Sequence, residues 1–233
     1  LMLKTLTIDG VSLTDYHIFY DGSQWWKIPE KMVDFYDVVG RNGEVAIPHG
    51  NYSNVMRSFN CYINGNWQNN YNSFINEIYS KDGYLRVESS EEPDVFTLAT
   101  ITSDLEPNLW QFNRKGTFTL EMNFQPQKWL KSGENAIEIT ASTTLLNPTK
   151  MTAKPMIEVT GTGSITINTS VLALGTNTGT TVIDCETQNC YEGAINRNGD
   201  LTITNGFPVL NDTNTVSFTG FTSVKIYPRW WRL

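Results

Sequence analysis

His17 and His49 are the two imidazoles of this sequence, and they stand too far apart for an H-E-x-x-H zinc helix or any regular ligand spacing. They read as surface or capping residues. Cys185 and Cys190, spaced C-x4-C, have no second pair to complete a zinc site, and Cys61 is remote from both. A disulfide between them needs a suitable Cα separation, so two reduced thiols on a strand and its turn are the simpler expectation. Glycan hydrolysis needs two carboxylates about 5–9 Å apart, one with a raised pKa. Glu88, Glu91, Glu92, Asp94, Asp184 and Glu186 supply candidates, but Glu91-Glu92-Pro93-Asp94 reads as a solvated loop. G-x-S-x-G, Walker A and dinucleotide fingerprints are absent, and Gly161-Thr162-Gly163 reads as a turn because no helix signal follows it. The expectation is no catalytic residue, no metal and no cofactor: not an enzyme.

Two tryptophan pairs invite a binding role. Trp25-Trp26 is either an aromatic platform for sugar rings or a pair buried against a sheet or a neighbouring subunit. Trp230-Trp231 favours burial. Val224, Ile226, Pro228 and Trp230 share one face of an extended segment, and Lys225, Tyr227, Arg229 and Trp231 share the other. A chain end so aromatic on both faces should be docked. Val224, Ile226, Trp230 and Trp231 are therefore expected to pack, within residues 224–233, on the first domain.

The elements that would position these residues are mostly strands. Leu6 and Ile8 alternate with Thr5 and Thr7. Phe118, Leu120, Met122 and Phe124 alternate with Thr117, Thr119, Glu121 and Asn123, the period of a half-buried strand. Asp82-Gly83 supplies a turn before the strand at Tyr84 to Val87. One segment has a different period. Trp67, Tyr71, Phe74, Ile75 and Ile78 form a helical stripe that predicts a helix over about 67–79, with Asn66 as a side-chain N-cap. Between about 34 and 60, Asn42-Gly43 marks a hairpin turn in a charged, β-capable run, with Val38, Val39, Val45 and Ile47 as its sparse apolar content. Such an arm projects rather than filling a core.

Lys131 to Asn135 is polar and reads as a junction near residue 133. Beyond it the chain is threonine-rich, with short apolar pairs such as Ile157/Val159 and Ile165/Ile167 separated by glycine turns, the pattern of a β-sandwich or jelly roll. The 233 residues are 39% hydrophobic and 12% aromatic, too apolar for a disordered chain. A net charge of −7, negative on both sides of residue 133, excludes a simple phosphate-binding surface. Apolar runs fall short of the roughly 18 residues of a membrane helix, and the N-terminus carries no signal-peptide pattern, so a soluble protein is expected.

In order along the chain, these landmarks resemble the distal tail protein family of long-tailed, non-contractile bacteriophages. They run from the strand Leu6-Thr7-Ile8-Asp9-Gly10 through Gly40-Arg41-Asn42-Gly43, similar to the family's Gly-Arg-x-Gly belt element, to the helix around Phe74 to Tyr79 and Phe124-Gln125-Pro126. They continue with Asn147-Pro148, the run Ala153 to Val159, Gly161-x-Gly163, Val182 to Glu186, Gly206 to Leu210 and Tyr227 to Trp231. Asp212 to Asn214 depart from the family, where members often carry Gly.

The resemblance implies a mainly β chain. Residues 1–133 would be an N-terminal β-sandwich with one α-helix and a protruding β-hairpin, and 134–223 a C-terminal galectin-like or jelly-roll β-sandwich. It also implies a homo-hexameric ring at the virion's tail tip, assembled in the bacterial host cytoplasm. That ring would be a hub joining the tail tube protein to the tail-associated baseplate protein and to receptor-binding proteins. DNA would pass through it without sequence-specific contact, and no membrane is involved. Val38, Val39, Gly40, Arg41, Asn42, Gly43, Val45 and Ile47 would then form an intersubunit belt, with Arg41 bridging to a neighbour's carboxylate. The alternative is a carbohydrate-binding β-sandwich module contacting the host cell wall. Against it, the large aromatics within residues 135–220 are only Tyr191, Phe207 and Phe218.

Overall fold

The structure, a computed structural model, describes residues 4–102, 104–110, 115–175 and 179–233. The chain folds as two compact units. One runs through Lys128 and includes Leu233, and the other is Trp129–Arg232. The division falls inside a strand, ahead of the polar stretch at 131–135. That stretch forms a 3-10 turn, Lys131–Glu134.

The first unit contains β1 (Leu6–Ile8), β2 (Val11–Ser12), β3 (Ile18–Tyr20), β4 (Lys31–Tyr36), β5 (Val45–Tyr52), β6 (Val55–Ile63), α1 (Trp67–Tyr79), β7 (Leu85–Ser89), β8 (Val95–Ile101), β9 (Asn108–Trp110) and most of β10 (Lys115–Leu130). Seven strands form one sheet in the order β2-β1-β7-β8-β10-β6-β3, with β9 also on β10. The alternation in Thr117 to Phe124 decides its inner face. Phe118, Leu120, Met122 and Phe124 are buried, opposite Cys61, Phe59, Arg57 and Val55 of β6 in antiparallel register. The helix spans the residues its stripe predicts. Phe74 and Ile78 are buried, and Phe118 meets the rings of Tyr71 and Phe74 at 5.6 and 6.3 Å. Asn66 does not cap through its side chain as expected; instead its carbonyl accepts from the Asn70 N–H at 3.1 Å.

The second unit contains β11 (Ile137–Glu138), β12 (Thr143–Leu146), β13 (Met156–Thr160), β14 (Gly163–Ile167), β15 (Ser170–Leu174), β16 (Thr180–Asp184), β17 (Asn189–Glu192), β18 (Ile195–Asn196), β19 (Leu201–Thr204), β20 (Thr213–Thr219), β21 (Ser223–Tyr227) and β22 (Trp231–Arg232). Two antiparallel sheets, β11-β21-β13-β16-β17-β18 and β12-β20-β14-β15-β19, bury one shared cluster that includes Ile157, Val159, Ile165, Leu172, Ile183 and Val216. Side chains from both inner faces meeting in one core make a β-sandwich. The two crossings between its sheets, β13 to β14 and β20 to β21, need glycine where they meet: a Cβ on Gly163 would lie 2.2 Å from the Thr219 carbonyl oxygen, with Gly220 opposite at φ +83°. The chain is thus mainly β with one α-helix, a two-stranded arm and a C-terminal sandwich, as expected.

Candidate functional site: an uncovered two-stranded arm

β4 and β5 form a sheet of their own. Val33 pairs with Pro48 and Phe35 with Ala46, so these four residues make one face of the ribbon apolar beyond the irregularity between Lys31 and Val33. Asp34 pairs with Ile47 and Tyr36 with Val45 on the other face, where His49 Nε2 lies 2.9 Å from Asp34 Oδ2. Neither face is covered within the unit: Phe35 is 60% and Ile47 51% exposed, and Met32 and Tyr36 are exposed too. An isolated two-stranded ribbon is marginal in water, and each of its outer edges presents unpaired backbone groups.

The arm's arms and tip differ from the expected hairpin. Val38 and Val39 are not strand residues but sit in the loop 37–44, and Val39 is fully exposed. Reversal does not rest on a two-residue Asn42-Gly43 turn. The Arg41 N–H donates to the Val38 carbonyl at 3.1 Å with Gly40 at φ +84°, a type II turn whose third position favours glycine. Of the expected belt, Val45 and Ile47 are on a strand, whereas Gly40, Arg41, Asn42 and Gly43 form the exposed tip. β6, within the expected 34–60 span, belongs to the main sheet. Sequence reasoning missed Val33, Phe35, Ala46 and Pro48, although the β-branched and aromatic residues among Met32 to Tyr36 were a usable strand signal.

The roots of the arm are stitched together. The Ser53 N–H donates to the Glu30 carbonyl at 3.0 Å, Lys27 Nζ donates to the Met56 carbonyl at 2.9 Å, and Arg57 Nη2 donates to the Lys27 carbonyl at 3.0 Å. Arg57, 1% exposed, lies over the rings of Phe124 and Trp25 at 4.5 and 5.5 Å. Burial lowers its guanidinium pKa to about 10, against the opposing pull of Glu92. Glu92 is itself buried, accepting from Trp25 Nε1 at 2.6 Å and pairing with the buried Lys128. The expected solvated loop at Glu91 to Asp94 is therefore corrected at Glu92, whose charge is held inside by a cation and an indole N–H. Trp25 is buried, and Trp26 is exposed with its Nε1 donating to Glu91 at 2.7 Å.

Of the expected docking residues, Val224, Ile226, Trp230 and Trp231 pack with the second unit's own core. β21 lies between β11 and β13, with Val224 opposite Val159 and Ile226 opposite Ile157. Trp230 is 5% exposed within the second unit's core, Trp231 packs at that core's edge, and Trp231 Nε1 donates to the Thr152 carbonyl at 2.9 Å. Cys185 and Cys190 are buried free thiols of the same core. Burial pushes the Cys185 thiol up to about 12 and that of Cys190 to about 11. An open cleft of ≈ 460 Å³ beside them is lined by Asp184, Asn189, Tyr191 and Asn196, among others.

Among the described residues no group of three or more His, Cys, Asp or Glu could hold a metal, and no helix is long and apolar enough to cross a membrane. His17 closes a 3-10 turn in the left-handed region at φ +54°, a capping role.

No family model matches the chain, and no curated protein matches it. A solved structure does. Along 100% of both chains, with a TM-score of 0.78 and 14% identity, the fold is similar to the crystal structure of SPP1 Dit (gp 19.1), described as a paradigm of the hub adsorption apparatus in phages that infect Gram-positive bacteria. From its first unit to its last strand, the chain therefore has the fold of a phage distal tail hub protein.

Proposed function

We propose that this chain is a structural hub of a bacteriophage tail tip, acting at the virion's distal tail. The observation that carries the reading is the arm: a ribbon bare on both faces and both edges, rooted by hydrogen bonds that include one from the buried Arg57, in a chain with a tail-hub fold throughout. The apolar face Val33, Phe35, Ala46 and Pro48 stabilises an assembly when a neighbouring copy covers it, and the free edges of β4 and β5 accept strand addition. Successive heterologous contacts close a ring. The finer reading is a homo-hexamer joining the tail tube to the tail-tip and receptor-binding proteins, around a channel through which DNA passes. Its chemistry is assembly, and no reaction is assigned. Imaging of tails that contain the protein tests this: six copies around one axis are expected, and a monomer or two-fold dimer in intact tails overturns it.

The second reading, a carbohydrate-binding module, draws on the cleft beside Tyr191, where an aromatic ring adjoins Asn189 and Asn196. Saturable binding of a host wall polysaccharide, abolished by Tyr191→Ala, would favour it over the hub.

A further inference from the structure

The sequence contains four Asn-Gly pairs, at 42, 64, 198 and 205. Asn-Gly is the dipeptide most open to intramolecular attack, because glycine puts no side chain in the way of its own backbone nitrogen. The structure separates the four.

Asn64, Asn198 and Asn205 are tied. The Gly65 N–H donates to Asn64 Oδ1 at 2.9 Å, and the Asn64 N–H donates to the His17 carbonyl at 3.2 Å, fixing both backbone and side chain. Asn198 Oδ1 accepts from the Cys190 N–H at 2.5 Å while its Nδ2 donates to Asn189 Oδ1 at 3.2 Å. Asn205 Nδ2 donates to the Thr169 carbonyl at 2.8 Å, and the residue is held at φ +60°. Asn198 and Asn205 would have to give up these bonds before their side-chain carbons could swing onto the next nitrogen; at Asn64 the side chain already lies beside the Gly65 nitrogen, but the N–H to Oδ1 bond turns that nitrogen's hydrogen, not its lone pair, toward the side chain.

Asn42 has no such restraint. It is exposed, its side chain makes no hydrogen bond among the described residues, and Gly43, at φ +79°, has open space around it. We propose that Asn42-Gly43, at the arm's tip, is a site of spontaneous deamidation and isomerisation. The Gly43 backbone nitrogen attacks Asn42 Cγ and forms the ring N–Cγ bond. The Cγ–Nδ2 bond breaks, and ammonia leaves with the proton from the Gly43 N–H. Water then opens the succinimide at either carbonyl, giving aspartate or isoaspartate. The net exchange is an amide and water for a carboxylate and ammonium, with no change of oxidation state. The product sets a new negative charge beside Arg41, and isoaspartate also lengthens the backbone of the tip by one carbon.

The test is to hold the full chain in mildly alkaline buffer and follow all four Asn-Gly peptides by mass spectrometry, resolving isoaspartate by chromatography. Modification at Asn42 is expected to be roughly tenfold or more faster than at the other three, the rate equivalent of giving up one or two hydrogen bonds. In Asn42→Gln the signal at this peptide should disappear, since ring closure is disfavoured for the longer side chain. Equal rates at all four pairs, or an unmodified Asn42 while another reacts, overturns the proposal. One consequence rests on the tail-hub reading: aged, modified chains should enter tails less well than fresh ones. Normal entry of modified chains would count against the tip as a contact while leaving the chemistry at Asn42 standing.

Discussion

Arg229 grips Asp184 through two roughly parallel contacts, Nη1–Oδ1 at 2.7 Å and Nη2–Oδ2 at 3.1 Å. The arginine sits at φ +54°, an uncommon backbone for a residue with a side chain, and its N–H donates to the Gly133 carbonyl at 2.9 Å. This bidentate pair ties the chain end to β16 across the second unit's sheet, in line with the way Arg matches a carboxylate fork.

Acid should release that tie. Burial acts to raise the Asp184 pKa, but hydrogen bonds from Arg229 and from the Glu186 and Thr187 N–H groups outweigh it and hold the carboxyl below its ordinary value. A carboxyl with a depressed folded pKa contributes stability above its unfolded pKa of about 4, lost as pH falls through the folded value. Asp184→Asn should cost about 1.5–3 kcal/mol at neutral pH, the worth of charged hydrogen bonds. It should also flatten the loss of stability below about pH 4. Urea melts at neutral and acid pH check both, and an unchanged acid limb would show the pair to be idle.

Glu92 and Lys128 form a buried pair, so removing one charge should cost more than removing both. Glu92→Gln leaves the ammonium among Trp25 and Trp26 without its counter-charge, an expected loss of about 3–5 kcal/mol. Adding Lys128→Met should restore part of that loss, because it removes the buried ammonium and Gln still accepts from Trp25 Nε1, while the buried Arg57 still lacks the pull of Glu92. A double-mutant cycle by chemical denaturation reads the coupling.

Phe35→Asp and Ile47→Lys change exposed side chains on opposite faces of the arm. Each should alter the melting of the isolated chain by no more than about 0.5 kcal/mol. In tails, either should sharply reduce incorporation if the ribbon is buried between copies. Excising 31–52 and joining Glu30 to Ser53 by a short Gly-Ser linker should give a folded chain that no longer assembles. Normal tails from the excised protein would remove the arm from the interface.

Trp230→Ala should cost about 3–5 kcal/mol, since the indole fills the second unit's core. Quenching of the Trp230 signal, isolated by comparison with this variant, should be much weaker in the native chain than in the unfolded one. A negligible shift in the unfolding midpoint would contradict the burial.

The thiols should be slow. Cys61 is buried and pushed up to about 12 by that burial, as is Cys185, so native protein should react sluggishly with an exchange reagent at mildly alkaline pH. Denaturant should expose all three cysteines at full rate. Fast native labelling at any of them would place that thiol at the surface.

Strand and helix were legible where burial imposes a period on neighbouring residues. Alternation along Thr117 to Phe124 and the stripe from Trp67 to Ile78 are local records of which face meets a core, and each reads the same whatever lies across from it. The partner is not in the period. Val224 to Trp231 shows apolar residues on both sides, a pattern that any two covering surfaces satisfy, and only the tertiary structure placed its first part, Val224 to Tyr227, in a strand beside β13, with Ile226 also opposite β11. Glu92 looked solvated because charge and a following proline mark loops. Its burial depends on Trp25 and Lys128, which lie 67 and 36 residues away in sequence. The arm was legible as a hairpin, but its turn shifted from Asn42-Gly43 to Gly40 because the strand pairing ends at Tyr36 and Val45. Periodicity is a property of a segment and its own backbone, whereas counter-charges and strand neighbours are properties of distant residues brought together by the fold.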